Sequence, residues 1–230
     1  SLLDVIEYIS VSSTGDATDF GNLTVARRRG SSGASNTRVM FGGGYAPGVN
    51  DTVDYINPSS LGNAADFGNL AAAGGSCGGF SNQIRFVSFG GSAPGYTDRM
   101  DYFTIASTGN ATDFGNLSTN VTDRYGTASP TRGIAAGGFA SPADAVSNSI
   151  DYFTIMSAGN STDFGDLSGA RHNQASYGNT TRGVFAGGQT SPGNGTDINI
   201  IEYVTIATTS NPTDFGDLTA AKSALCGLSN

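Results

Sequence analysis

Five copies of Asp-Phe-Gly, one histidine, two cysteines and a scatter of acids are the groups in this 230-residue chain that can do chemistry. Asp-Phe-Gly holds magnesium where a Val-Ala-Ile-Lys strand and a His-Arg-Asp loop accompany it. Neither string is present, and no single site uses the tripeptide five times. What remains is structural: the Phe anchors a strand and the Asp caps a turn. Glycine runs such as Gly42-Gly43-Gly44 suggest a phosphate cradle, but no Gly-Lys-Ser/Thr follows them. His172 is the only group that titrates near neutral pH, and no Ser or Asp at a telling spacing makes it a base. It reads as a packed neighbour of Arg171. Asp51, Asp98, Asp144 and Asp197 have calcium-ligand chemistry without a recognisable calcium loop. Cys77 and Cys226 follow Leu70 and Leu218 at nearly equal distances, in slots suited to a small apolar residue, so free thiols are expected. The expectation is no catalytic residue, no metal and no cofactor.

Composition agrees with that reading. Charged residues make up only 13% of the chain and the net charge is −8, which argues against gripping a nucleic-acid backbone. No run approaches the roughly 20 apolar residues of a membrane helix, so no membrane insertion is expected. The 34 glycines, against one Lys and two Glu, exclude an all-helical fold.

The elements that position these residues repeat. Asp-Phe-Gly-Asn/Asp-Leu begins at Asp19, Asp66, Asp113, Asp163 and Asp214, and eleven residues before each stands Tyr8, Tyr55, Tyr102, Tyr152 or Tyr203. An acid precedes each tyrosine: Glu7, Asp54, Asp101, Asp151 and Glu202. Gly-Gly pairs recur at Gly42–Gly43, Gly90–Gly91, Gly137–Gly138 and Gly187–Gly188, each after a short apolar run headed by Arg38, Arg85, Arg132 or Arg182. These arginines are expected to pair with an acid of the same or an adjacent repeat. In Asp101–Ser107 aromatic and β-branched side chains alternate, as in a strand. Thr108-Gly109-Asn110-Ala111 is a turn, and Thr112–Leu117 begins the return strand. A fixed hairpin explains the constant interval of eleven, because turn length sets register. Arg182–Gly188 reads as a third strand, and the stretch between Leu117 and Arg132 has room for a fourth. Each unit is four strands in about 48 residues, the size of a propeller blade.

The pattern resembles the kelch repeat along the whole chain: Arg after the fourth strand (Arg27, Arg171), Gly-Gly closing the second, Tyr in the third. Phe20, Phe67, Phe114, Phe164 and Phe215 stand where kelch repeats carry Trp, and only His172 matches the usual His, so the set is divergent. The wording Asp-Tyr-Phe-Thr-Ile-Ala-Ser-Thr-Gly-Asn-Ala-Thr-Asp-Phe-Gly-Asn-Leu also resembles repeats in structural proteins of marine tailed phages, cyanophages among them. The resemblance implies an all-β, five-bladed propeller formed as one domain over residues 1–230. The mean Tyr interval of about 49 leaves the chain roughly 14 residues short of five units. The expected closing blade is shared by the two ends and lacks one Gly-Gly strand; a fragment of a larger ring or fibre is the other reading.

Function is expected where the repeat varies. Only the loop after Gly-Gly changes length, and such loops share one face of a propeller. The candidate ligand-binding residues on that face are Tyr45, Asn50, Asp51, Tyr96, Asp98, Arg99, Phe139, Asp144, Gln189 and Asn194. Tyr faces and polar groups on Pro/Gly-stiffened loops suit glycan recognition, although solvated turns have the same composition. Three functions stay open: a virion or extracellular structural and attachment protein, a free-standing five-bladed lectin, and an enzyme. The first is favoured, with other virion or surface proteins and a cell-surface polysaccharide as partners.

Overall fold

The computed structural model describes residues 2–92, 94–191 and 195–227, and every regular element among them is a strand. The first sheet pairs β1 (Leu3–Tyr8) with β2 (Thr18–Arg27). The second runs β3 (Ser31–Ala34), β4 (Val39–Gly42), β5 (Thr52–Ile56), β6 (Ala65–Asn69). The third begins β7 (Gly78–Ser81), β8 (Arg85–Phe89), β9 (Thr97–Thr104), β10 (Thr112–Thr122). The fourth opens with β11 (Tyr125–Ala128) and β12 (Arg132–Ala136). A small hairpin, β13 (Phe139–Ala140) and β14 (Ala145–Val146), then leaves to pair with β10 of the third sheet. The fourth sheet finishes with β15 (Ser149–Thr154) and β16 (Thr162–Asp166). The fifth is β17 (Ala175–Gly178), β18 (Arg182–Ala186), β19 (Ile200–Thr205), β20 (Thr213–Asp217). Every pairing is antiparallel between neighbours in the sequence, apart from the joins the hairpin makes.

The repeated sequence sets a repeated register. The tyrosines lie opposite Thr18, Ala65, Thr112, Thr162 and Thr213, and the acids before them opposite the five repeat aspartates. A register shift follows at the Phe-Gly step, where Gly21, Gly68, Gly115, Gly165 and Gly216 have φ between 135° and 148°. There Asp19, Asp113 and Asp214 each accept the NH of the glycine two residues on, at 3.1–3.2 Å. The Asp therefore caps a bulge. The Gly-Gly exits need one correction. The pair with positive φ is Gly43–Gly44 (63°, 101°), matching Gly90–Gly91, Gly137–Gly138 and Gly187–Gly188, so the expected Gly42–Gly43 is one residue early. The second glycine then stands 25 residues after its aspartate in all four repeats.

The apolar side chains fall into four clusters, each joining two successive sheets. Phe20 packs against Ile56 and Ala64 between the first and second, and Met40, Val53, Phe67 and Leu70 meet Phe86, Phe103 and Ile105 between the second and third. Phe114 and Val87 reach Phe153 and Ile155 in the next, and Phe164 and Ile134 reach Phe185, Val204 and Ile206 in the last. The glycine of each of the first four bulges lies under the turn of the following sheet: a Cβ on Gly68 would stand 2.2 Å from the Gly109 oxygen.

Polar bonds follow the same period, with partners other than those expected. Arg38, Arg85, Arg132 and Arg182 pair with no acid; each lies 4.2–4.6 Å over the tyrosine ring of its own sheet. The first three also donate to the carbonyls of Ile105, Ile155 and Ile206 in the sheet beyond. The acids belong to other arginines. Arg27 holds Asp54 at 2.9 Å, Arg124 holds Asp151 at 2.7 Å and Arg171 holds Glu202, each from one sheet to the next and all buried. Gly74 stands eight residues after its repeat Asp, where Arg27 and Arg171 stand after theirs, and Arg99 reaches Asp101 from within its own strand instead, at 2.9 Å.

Among the described residues the packing of one sheet on the next stops after the fifth. Phe215 is 57% exposed where its four counterparts are buried, and Gly216 has no neighbour within 4 Å of a Cβ position where the other four bulge glycines do.

Candidate functional site

β3, β7, β11 and β17, with Leu225–Gly227, surround a cavity of about 820 Å³ lined by serines, threonines, asparagines and glycines together with apolar and aromatic side chains such as Ile84, Tyr125, Tyr177 and Leu225. Just before each of these strands, ten residues after each repeat Asp, the chain turns through φ of 49–55° at Arg29, Ser76, Asp123, Asn173 and Ala224. Such a φ costs a non-glycine residue free energy, and five repetitions mark it as part of the fold. The turns are bonded to one another: Ser76 NH donates to the Arg29 carbonyl and Asp123 NH to the Ser76 carbonyl. Five identical backbone positions thus carry five different side chains.

Asp123 is the centre of this group. It is 8% exposed, its Oδ1 lacks a hydrogen-bond partner, and the Arg29 guanidinium lies 3.9 Å from that atom. Burial, then the Asp123 charge, pushes the Tyr125 phenol up to about 12. The Tyr125 hydroxyl donates to Asn173 Oδ1 at 3.4 Å. His172 is buried with its Nδ1 unpartnered, and burial holds its pKa below the ordinary value despite the Ser191 carbonyl near Nε2.

The candidate loops begin beside these turns. Bridges join Arg28 to Tyr45, Gly75 to Ser92 and His172 to Gln189, while Phe139 pairs with Thr122. Tyr45 spans two repeats: its ring lies where a Cβ on Gly75 would be, and its hydroxyl bonds Ser92 Oγ. Phe139 lies 3.9 Å from the His172 ring. Tyr96 and Asp144 approach from adjacent loops; desolvation, and then the carboxylate, raise the phenol's pKa. Asp144 is exposed. These residues gather around Asp123 and His172.

Others of the candidate set make hydrogen bonds within the chain. Asn50 Oδ1 accepts Thr52 NH at 2.6 Å, and the Asp51 carbonyl accepts Leu70 NH. Asp98 accepts Asn116 Nδ2 at 3.0 Å, and Arg99 is held between Asp101 and the Ala72 carbonyl. Gln189 Nε2 donates to the Gly195 carbonyl at 3.0 Å. Asn194 lies outside the described residues. Sequence reasoning passed over Arg29, Asp123, Tyr125 and Asn173. The fixed offset of ten from each repeat Asp was the available signal for three of them, and Tyr125 stands two residues after Asp123.

Among the described residues no group of three or more His, Cys, Asp or Glu side chains is placed to hold a metal ion. The chain matches no family model, and no curated protein matches it significantly.

Proposed function

We propose that the chain is a non-enzymatic structural and attachment protein of a virion or extracellular surface, built as a five-bladed kelch-like propeller. Its loop face contacts a surface glycan or a neighbouring protein. The first sheet and Leu225–Gly227 are the two parts of its fifth blade. Five equivalent positive-φ turns around one cavity support that architecture, as does the one-to-next packing of successive sheets.

The observation that carries the binding reading is the gathering of Tyr96, Asp144, Arg29 and the Phe139–His172 pair about Asp123, beside the turns that lead into the innermost strands. Aromatic faces beside carboxylate and guanidinium groups suit the alternating apolar and hydroxyl surfaces of a sugar. Of the acids at the repeated register, Asp54, Asp151 and Glu202 are held in buried ion pairs between sheets, and Asp101 pairs with the partly exposed Arg99 of its own strand. A glycan array probed with the wild-type chain and with a Tyr96→Ala, Asp144→Asn double variant tests the reading. The expected result is a retained polysaccharide class that the variant loses with its circular dichroism unchanged. No retained glycan, or equal retention by both proteins, overturns it.

A further inference from the structure

β3, β7, β11 and β17 each end their sheet, paired on one edge only, and residues of all four line the cavity. Strand edges offer peptide NH and C=O groups, which donate and accept without carrying charge. The side chains are of the same kind. Ser32, Thr127, Gln83 and Asn179 supply hydroxyls and amides, Tyr125 and Tyr177 supply aromatic rings, and every described side chain in the lining is uncharged.

That chemistry selects among ligands. A charged group would lose its water there and meet no counter-charge. An extended peptide needs a continuous edge for its ladder of main-chain bonds. The edge at β3 and the turn after it is interrupted: Ser81 Oγ accepts from Ala34 NH and donates to the Ala34 carbonyl, both at 2.7 Å, and Gln83 Oε1 accepts Asn36 NH at 2.8 Å. What is left is separate donors and acceptors beside aromatic rings, a match for the hydroxyls and apolar faces of a neutral sugar. The volume of about 820 Å³ lies within the range of about 300–1,000 Å³ usual for ligand sites.

Strands wall the cavity on its sides, so a polymer reaches it along the strands and enters end first. One end is marked by the positive-φ turns, since Gly30, Cys77 and Leu225, each the residue after such a turn, belong to the lining. Beside those turns Tyr96, Asp144 and the Phe139–His172 pair gather about Asp123. At the other end the turns are tied to one another, Asn36 to Gln83 and, through Asn82 Nδ2 at 2.9 Å, the next turn to the Pro130 carbonyl.

We infer that the cavity is a subsite for the terminal residue of an uncharged glycan. The chain end enters from the loop face, and the residues that follow it lie against the loops of Tyr96 and Asp144. This rests on the glycan reading above and adds that a neutral chain end, rather than the interior of a chain, is what is recognised.

The test prints linear glycans on an array in two forms, one ending in a neutral hexose and one with the same chain capped by sialic acid. It is probed with the wild-type chain and with Ser32→Trp. Ser32 lines the cavity and is exposed, so the indole occupies ligand space without displacing a core side chain. Neutral-ended chains are expected to be retained and their capped forms to bind at least about tenfold more weakly. Ser32→Trp is expected to lose the neutral-ended chains with its circular dichroism unchanged. Equal retention of capped and uncapped chains, a comparison that needs no variant, overturns the inference and leaves the loop-face reading standing. Undiminished retention by folded Ser32→Trp does the same, as does displacement of the bound glycan by the neutral peptide Ser-Ala-Ser-Ala-Ser-Ala. A blank array overturns both readings.

Discussion

Replacing Gly115 and Gly216 by alanine, one at a time, separates backbone strain from contact between sheets. Both glycines sit at the bulge after Asp-Phe, and both have φ of 135°. Alanine therefore meets the same local strain at each. The surroundings differ: a Cβ on Gly115 would stand 2.5 Å from the carbonyl carbon and oxygen of Gly159, while one on Gly216 meets nothing within 4 Å. Restoring ordinary contact of about 3.4 Å at Gly115 means moving the Gly159 turn outward by roughly 1 Å. Three hydrogen bonds tie that turn down: Gly159 NH to the Phe114 carbonyl at 2.6 Å, Ser161 NH to the Asn116 carbonyl at 2.8 Å, and Asn116 NH to Asn160 Oδ1 at 3.0 Å. At about 1 kcal/mol net for each bond, Gly115→Ala costs about 3 kcal/mol more than Gly216→Ala. For a chain of this size that is a further fall in Tm of about 6–12 °C. Urea titrations and thermal melts followed by circular dichroism give both values. Losses equal to within about 0.5 kcal/mol would refute the reasoning, because Gly216 would then have a neighbour in solution as close as the other four bulge glycines have.

The remaining predictions probe the buried polar groups. Arg124→Met is expected to cost about 3–5 kcal/mol by leaving Asp151 charged and buried, and Arg124→Met with Asp151→Leu is expected to recover part of that loss in denaturant titrations. In the native protein one thiol is expected to react with a disulfide reagent at pH 8. Cys226 is exposed, whereas burial pushes the Cys77 thiol up to about 12, and both react once the chain is unfolded. His172 is held neutral, below its ordinary pKa of about 6.5, so the unfolded chain takes up a proton first as pH falls. Stability contributed by the neutral ring is present above pH 6.5 and declines below it. Thermal melts of the wild type and His172→Gln between about pH 7 and 5 should therefore converge toward the acid end.

The strands were legible because their signals are local. A tight Gly/Asn turn between alternating segments fixes a hairpin within some twenty residues, and the interval from Tyr to Asp became a register that all five sheets share. Choices settled between sheets left weaker traces. Three successive glycines at 42–44 are indistinguishable by type, and only the positive φ of Gly43 and Gly44 tells which pair makes the exit. Arg38 and its counterparts looked like partners for acids, but their position at the head of a central strand puts them over a tyrosine ring and under a carbonyl of the next sheet. The hairpin of β13 and β14 is two residues a side, too short for a periodic signal, and forms because β10 runs on to Thr122 and offers an edge.

The same distinction decides where binding can reside. A residue that holds register or joins two sheets cannot change without loosening a junction, and Arg99 shows how far such a constraint reaches. With glycine at position 74, the charge that Asp101 requires arrives from its own strand, so a loop-facing arginine was absorbed into the scaffold. Tyr45 met a similar end: Gly75 leaves space for its ring, and its hydroxyl ties to Ser92. The positions left free to vary are those fixed by backbone alone. Arg29, Ser76, Asp123, Asn173 and Ala224 share one conformation but carry five different side chains, of which those of Ser76 and Asp123 are in buried residues. A surface specified by backbone and unspecified in chemistry is what a repeat needs in order to acquire a ligand without losing its fold. The buried, unpartnered oxygen of Asp123 is the place where that freedom already costs stability.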